Sequence, residues 1–367
     1  MDFNTRYAKL NDNQRQAVDY IHGSLLVIAG PGTGKTELLS MRTAQILRQT
    51  DTLPNSILCL TFTESGATNM RQRLRQIIGE DAYKIAIHTF HSFGTEIINQ
   101  HREYFFRGAD AQPVDELTQY QIISGILEGL DWRNPLSVKN NGEFVYIKEL
   151  IRIISEFKQS GLTPSELRSI IEDNQSTIAE IAPDIQQVFS AKISKKTIEM
   201  FAPLAEKIAN LATKNPDEKN SKLPASITPY ANVLALSIAH AAQEAIDENS
   251  TKPLTAWKNK WCEKNANGEF VLKDFTAAEK LSAAIDVYEK YVNILSERSL
   301  FDYDDMILSV IQACESHPEL RANLQEQFQF IMVDEFQDTN LAQLRLLFNL
   351  TSENDDNPNI MAVGDDD

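Results

Sequence analysis

The chain has 367 residues, enough for two domains or one large one, and its 42% hydrophobic and 24% charged content is ordinary for a globular protein. Its net charge of −17 argues against a protein that coats nucleic acid by bulk attraction to phosphates. A local groove that grips a single strand by stacking is still allowed. No apolar stretch is long enough to cross a bilayer, and residues 1–7 have no apolar signal core. Cys59, Cys262 and Cys314 lie far apart without metal-ligand spacing, so the sequence reads as a cytoplasmic protein with reduced thiols and no membrane partner.

Residues 10–18 open the chain as a helix. Asn11 suits an N-cap and Gln14, three residues on, can complete a capping box, so on local grounds Gln14 is either a cap or a ligand contact. Leu25-Leu26-Val27-Ile28 then reads as a buried strand, Ala29-Gly30-Pro31-Gly32-Thr33-Gly34-Lys35-Thr36 as a glycine-rich turn, and the run to about Gln49 as an amphipathic helix. Strand, loop and helix in that order make a phosphate-binding loop. The glycines let backbone N–H groups converge on an anion, Lys35 adds a charge for the β- and γ-phosphates, and the Thr36 hydroxyl suits Mg²⁺.

Further strands are expected at 57–62 and 85–87, with helices at 65–78 and, after the stretch from His88 to Gly94, on to about His101. This alternation specifies an α/β domain with a mainly parallel sheet. Arg71, Arg73 and Arg75 do not share a helical face and read as solvated. His88 and His91 have no acidic or cysteine neighbours and make a weak metal signal. Beyond Arg107 helical patterns recur near 116–130, 145–159, 164–173, 176–189, 197–212, 230–247 and 275–297. Between them lie breakers such as Asn134-Pro135 and Lys214-Asn215-Pro216-Asp217, and Lys192, Lys195 and Lys196 form a small basic, solvated cluster. The α/β pattern resumes with a strand at 328–333, a helix over Leu341–Leu350 and a strand at 359–363. The expectation is one α/β domain, residues 1–107 and 300–367, interrupted by an all-α domain at 108–299.

The strand at 328–333 ends in Asp334-Glu335. Asp334 suits Mg²⁺, which takes one or two carboxylates beside phosphate oxygens, and Glu335 can polarise an attacking water. Ligands of parallel sheets sit at the carboxyl ends of strands, where both this pair and the loop would lie. The reaction class is Mg²⁺-dependent nucleotide hydrolysis, with water attacking the γ-phosphate in line.

These stretches together resemble the UvrD/Rep/PcrA-like superfamily 1 DNA helicases. Leu10-Asn11-x-x-Gln14-x-x-Ala17-Val18 is similar to their adenine-sensing Q motif, and residues 29–36 to motif I, where alanine at the first position is common. Thr61-Phe62-Thr63 with Met70-Arg71 resembles motif Ia, and Thr89-Phe90-His91-Ser92 motif Ib. Asp302-Tyr303-Asp304-Asp305 resembles the acidic-aromatic element before motif II, Asp334-Glu335-Phe336-Gln337-Asp338-Thr339-Asn340 motif II itself, and Val363-Gly364-Asp365-Asp366-Asp367 the start of motif III. The resemblance implies a RecA-like ATP-binding domain with a helical insertion. It implies ATP held by Gln14, Ala29, Gly30, Pro31, Gly32, Thr33, Gly34, Lys35 and Thr36, Mg²⁺ held by Thr36 and Asp334, and catalytic roles for Lys35 and Glu335. Phe62 would stack on a base of single-stranded DNA, while Thr63, Thr89, Phe90, His91 and Ser92 touch its backbone. The implied activity is 3′→5′ movement on single-stranded DNA and action at duplex junctions, in DNA repair, replication or recombination.

Some positions depart from that pattern. Glu37 stands where an arginine often helps to hold the nucleotide, and Ser65 where a lysine often meets a phosphate. The helical insertion is longer than expected for the family, which suggests either a protein partner or an unusual duplex contact. The sequence stops within motif III, before any second RecA-like domain, so it reads as a truncated chain that binds ATP·Mg²⁺ weakly without appreciable hydrolysis. Two alternatives are a helicase subunit of an AddA/RecB-type helicase–nuclease and a non-motor, nucleotide-gated binding protein.

Overall fold

Branched and aliphatic runs build five strands, β1 (Leu25–Ile28), β2 (Ile57–Thr61), β3 (Ala86–Thr89), β4 (Phe330–Val333) and β5 (Ile360–Gly364). The structure is a computed structural model that describes residues 3–105, 112–190, 192–194, 198, 201–213, 230–265, 267–273, 277–351 and 357–365. All five strands run parallel in the order β1-β5-β4-β2-β3, so chain segments far apart in sequence lie side by side. Ile28 pairs with Gly364, and Val333 with both Ala362 and Leu60. That register brings Ala29, Asp334 and Asp365 out at one carboxyl edge of the sheet.

The strand residues alternate between two apolar layers, as a pleat of period two requires. Ile57, Cys59, Phe330 and Met332 join one core with residues of the helices α1 (Phe3–Tyr7), α2 (Asp12–Asp19), α3 (Lys35–Gln49) and α4 (Glu64–Ile78). Leu58, Leu60, Ile331 and Val333 join the other, with Phe90, Phe93 and Ile97 of α5 (Phe90–Gln100) and with the helices Asp305–Ser316 and Leu341–Leu350. Arg42, on the core side of α3, is fully buried. Its Nη1 and Nη2 each donate over 3.0 Å to the carbonyls of Ala17 and Ile21, closing the C-terminal end of α2 with a cation where the helix dipole favours one. Burial pulls its pKa down to about 10.

Contacts divide the chain into two compact units: Met1–Thr118 with Ser155–Gly161 and Ile294–Asp367, and Gln119–Ile154 with Leu162–Asn293. Residues 155–161, expected within the helical insertion, thus belong to the sheet-bearing unit. Lys158 explains this, because its ammonium lies 2.5 Å from both Asp302 and Asp305. Gly161 adds a second tie, with φ +74° and the site of a Cβ only 3.2 Å from the Ala342 backbone. Its carbonyl accepts from Arg345 Nη1 at 2.6 Å.

The other unit is mainly helical. Phe189, Phe201, Leu234, Ile238, Leu254 and Trp257 form much of its core, and Trp257 Nε1 donates to Ser237 Oγ at 2.9 Å. The helices expected at 164–173 and 176–189 are one helix, Pro164–Ser190, which carries Pro183 in its interior. A helix at Lys252–Trp261 and two short antiparallel ladders, Lys139–Asn140 with Glu143–Phe144 and Cys262–Lys264 with Phe270–Leu272, were not legible in the periodicity. Lys195, Lys196, the 214–217 breaker, Asp366 and Asp367 lie outside the described residues. No helix among the described residues is long and apolar enough to cross a membrane.

Candidate active site

Hydrogen bonding to the neighbouring strand holds the start of the loop after β1, where the Ala29 N–H donates to the Gly364 carbonyl at 2.9 Å. The chain then turns through Gly32 and Gly34, at φ +77° and +90°, left-handed conformations that a side chain would strain. Thr33 Oγ1 donates to the Gly30 carbonyl at 2.8 Å and fixes the turn. Gly34 flanks α3 with no side-chain cap, so the first-turn N–H groups of α3 keep their pull on an anion.

Lys35 projects among three oxygens. Its Nζ is paired with Asp365, lies 3.5 Å from Glu335 Oε2 and donates to the Ala29 carbonyl at 3.4 Å. The hydrogen bond to Asp365 raises its pKa, with Glu335 adding to the effect against the cost of burial, so the ammonium stays charged. Thr36 Oγ1 donates to Asp334 Oδ2 at 3.2 Å, and Asp334 Oδ1 accepts the Glu335 N–H at 3.1 Å. Burial pushes the Asp334 carboxyl up, Glu335 adds to this and the Thr36 hydroxyl opposes it. One buried carboxylate beside one hydroxyl is a hard oxygen donor set, which fits Mg²⁺.

Glu335 is held at φ 52° and ψ 48°, a left-handed conformation that costs a residue with a Cβ about 1–2 kcal/mol. Gln337 braces it: Nε2 donates to Glu335 Oε2 at 3.0 Å, while Oε1 accepts the Asp365 N–H at 3.0 Å. Gly364 makes room for that brace, since a Cβ there would stand 2.7 Å from Gln337 Oε1. The roles of Asp365 and Gln337 were not read from the sequence, because neither residue type at its position signals a partner.

Gln14 completes the expected capping box. Its Oε1 accepts the Asn11 N–H at 3.0 Å, and Asn11 Oδ1 accepts the Gln14 N–H at 2.9 Å. Its Nε2 also donates to the Thr33 carbonyl at 3.1 Å, tying the cap of α2 to the phosphate loop. A recess of about 690 Å³ beside the loop is lined by Gln14, Tyr20, Leu26, Ile28 and Lys35 among others. A second, of about 380 Å³, is lined by Arg6, Gln14, Gly34, Glu37 and Arg73 among others. The Glu37 carboxylate pairs with Arg6 at 2.7 Å and Arg73 at 2.8 Å.

Residues expected to meet nucleic acid fall into four groups. Phe62 follows β2 with its ring 51% exposed. The side chains of Thr63, Thr89 and Ser92 are engaged in caps: Thr63 Oγ1 accepts the Gly66 N–H, and Thr89 and Ser92 form a reciprocal box at the start of α5. Phe90 requires a correction. Its ring is 2% exposed and packs in the core beneath α5, so it anchors the segment and offers no face to a ligand. His91 is half-buried, with burial lowering its pKa, and its ring lies 4.3 Å from that of Tyr303, which is 66% exposed. Tyr303 therefore extends the aromatic surface at His91, a neighbour that sequence spacing gives no reason to expect. Among the described residues no group of three or more histidine, cysteine or acidic side chains could hold a metal ion on its own.

Comparison with known proteins agrees with this geometry. The family model described as UvrD/REP helicase N-terminal domain matches residues 10–221 and 179–367. The chain is 25% identical to the ATP-dependent DNA helicase PcrA of Staphylococcus aureus over 358 residues, covering 98% of this chain and 33% of the relative. It is 30% identical to DNA helicase II of Rickettsia typhi over 214 residues, 57% of this chain and 30% of that protein. The PcrA of Staphylococcus epidermidis is 25% identical over 99% of this chain and 34% of its own length. The chain thus spans about a third of the length of these curated relatives. Because the family match runs across the sheet-bearing segments on both sides of the helical unit, the chain belongs to the UvrD/REP helicase N-terminal domain family.

Proposed function

We propose that this chain binds ATP with Mg²⁺ and supplies the nucleotide site of an ATP-dependent DNA helicase that moves 3′→5′ on single-stranded DNA. The observation that carries the reading is the meeting of Lys35, Thr36, Asp334 and Glu335 at one edge of the sheet. Lys35 is charged and lies within reach of the two acids, which an incoming phosphate would replace as its partners. Thr36 and Asp334 would hold Mg²⁺, which when bound shields phosphate charge. Glu335, braced by Gln337, would take the role of orienting and polarising the attacking water. Gln14 would meet the adenine by exchanging one of its present hydrogen bonds.

On the nucleic-acid side, the exposed Phe62 ring would stack on a base regardless of sequence, with Thr63, His91 and the backbone at Thr89–Ser92 lining the strand's path. Single-stranded DNA and duplex junctions are the partners that follow, in the cytoplasm, in repair, replication or recombination. The helical unit would serve a protein partner. The names of the relatives, ATP-dependent DNA helicase and DNA helicase II, support this reading.

The test is equilibrium binding of ATP·Mg²⁺ to the 367-residue chain. Lys35→Ala should weaken binding by at least about 100-fold, since a charged hydrogen-bonding group in a closed site is worth roughly 3 kcal/mol. Equal affinity of the parent and Lys35→Ala chains would refute the assignment.

A further inference from the structure

We infer that Glu64 is a built-in competitor for nucleic acid: its carboxylate occupies the Thr89 hydroxyl that a phosphate of the strand would use, so a strand binds there only by displacing it. The inference rests on the nucleic-acid reading above and adds to it a group that opposes binding.

Parallel pairing of β2 with β3 sets Thr61 opposite Thr89, so the segments that leave these strands start side by side at the carboxyl edge of the sheet. The first segment carries Phe62, Thr63 and Glu64, and the second begins at Thr89. Glu64 opens α4, where the helix dipole favours an acid and solvent would satisfy its carboxylate. Instead its Oε1 accepts from Thr89 Oγ1 at 3.0 Å, across 25 residues of sequence. A hydroxyl has one proton to donate. Ser92 Oγ lies 3.0 Å away as a neutral alternative, but a carboxylate is the stronger acceptor and takes it. Thr89 is buried whereas Glu64 is exposed, so the hydroxyl is covered by a group that can be moved aside.

A phosphate oxygen seeks the same donor and carries the same sign of charge as the Glu64 carboxylate. The two cannot share one proton, and at hydrogen-bonding range they repel. Ser65, the next residue, adds no compensating charge, and the three arginines of α4, which read as solvated in the sequence, are turned elsewhere. Arg71 donates to the Ile87 carbonyl at 2.9 Å, Arg73 pairs with Glu37 at 2.8 Å and Arg75 lies over the Tyr83 ring. The edge therefore offers a strand the exposed Phe62 ring together with an acid at the phosphate's place. Stacking that tolerates any base, beside a backbone contact that is readily given up, suits a strand that has to slide past.

The test is fluorescence anisotropy of a labelled single-stranded thymine oligonucleotide with the 367-residue chain and its variants. Glu64→Gln removes the charge and keeps an oxygen for Thr89, and it should tighten binding about 5-fold. Glu64→Ala also frees the hydroxyl and should gain at least as much. In a Thr89→Val background the gain from Glu64→Ala should shrink to within about 2-fold, because no hydroxyl is left to free. In a Thr89→Ser background, which keeps both hydroxyl and cap, the full gain should return, and this separates loss of the hydroxyl from damage to α5. General repulsion between an acidic surface and the strand predicts one gain in all three backgrounds. That result, or unchanged or weaker binding with Glu64→Ala, would overturn the inference. Phe62→Ala tells its failure from that of the nucleic-acid reading. Weaker binding by Phe62→Ala with no gain in Glu64→Ala overturns the inference alone, and unchanged binding by Phe62→Ala overturns both.

Discussion

Replacing Lys158 with methionine removes the ammonium that lies 2.5 Å from both Asp302 and Asp305, in a side chain with no exposed surface. Methionine fills much the same volume, so the loss is electrostatic: two poorly solvated carboxylates are left facing each other. Breaking a buried pair in this way costs about 3–5 kcal/mol. In a unit of roughly 200 residues each kcal/mol moves the melting temperature by about 2–4 °C, so the drop at neutral pH should be about 6–20 °C. The pH dependence separates this cause from lost packing. Burial pushes the Asp305 carboxyl up to about 6, Lys158 opposing and Asp302 adding to the effect. Because 6 lies above the ordinary 3.8, the folded protein keeps a proton that the unfolded chain has released. The contribution of this group to stability therefore falls as pH rises from about 4 through 6. Without Lys158 the folded value climbs further and the loss extends to higher pH. Scanning calorimetry should find the deficit of Lys158→Met largest near pH 8 and smaller by at least about 1 kcal/mol near pH 5. Adding Asp302→Asn to Lys158→Met should recover part of it at pH 8. Equal deficits at both pH values, with no recovery, would refute the electrostatic account.

Phe62→Ala should weaken binding of single-stranded oligonucleotides by about 1–3 kcal/mol, alike for thymine and adenine runs, while the melting temperature stays put because the ring is half exposed. Unchanged anisotropy titrations would remove Phe62 from the nucleic-acid path. Phe90→Ala should do the reverse in stability, costing about 3–5 kcal/mol in denaturant unfolding, since its ring is in the core; a loss under 1 kcal/mol would contradict that placement. Gly364→Ala puts a Cβ 2.7 Å from Gln337 Oε1 and 3.2 Å from the Gln337 N. It should destabilise by about 1–3 kcal/mol and weaken ATP·Mg²⁺ binding by displacing the Glu335 brace. Full nucleotide affinity in that variant would show that the brace is dispensable.

The sequence by itself determined what depends on neighbours along the chain. The phosphate loop, the capping box at Asn11, the five strands and the long helices are written in turn chemistry and in periods of two and 3.6, which act over a few residues. The same locality explains the misreadings. Pro164–Ser190 holds no break strong enough to end it at 174, and ladders of two or three residues are too short for a period to show. Only the tertiary structure decided which charges meet. Parallel pairing of β1 with β5 brings Lys35 to Asp365 across 330 residues of sequence, and pairing of β5 with β4 brings Thr36 to Asp334 across 298. It returned Lys158 to the sheet-bearing unit, turned Phe90 inward while Phe62 stayed exposed, and gave Glu37 two arginines. Coulombic and packing terms depend on distance in space, and that distance is set by strand order and helix packing, to which no local window of sequence has access.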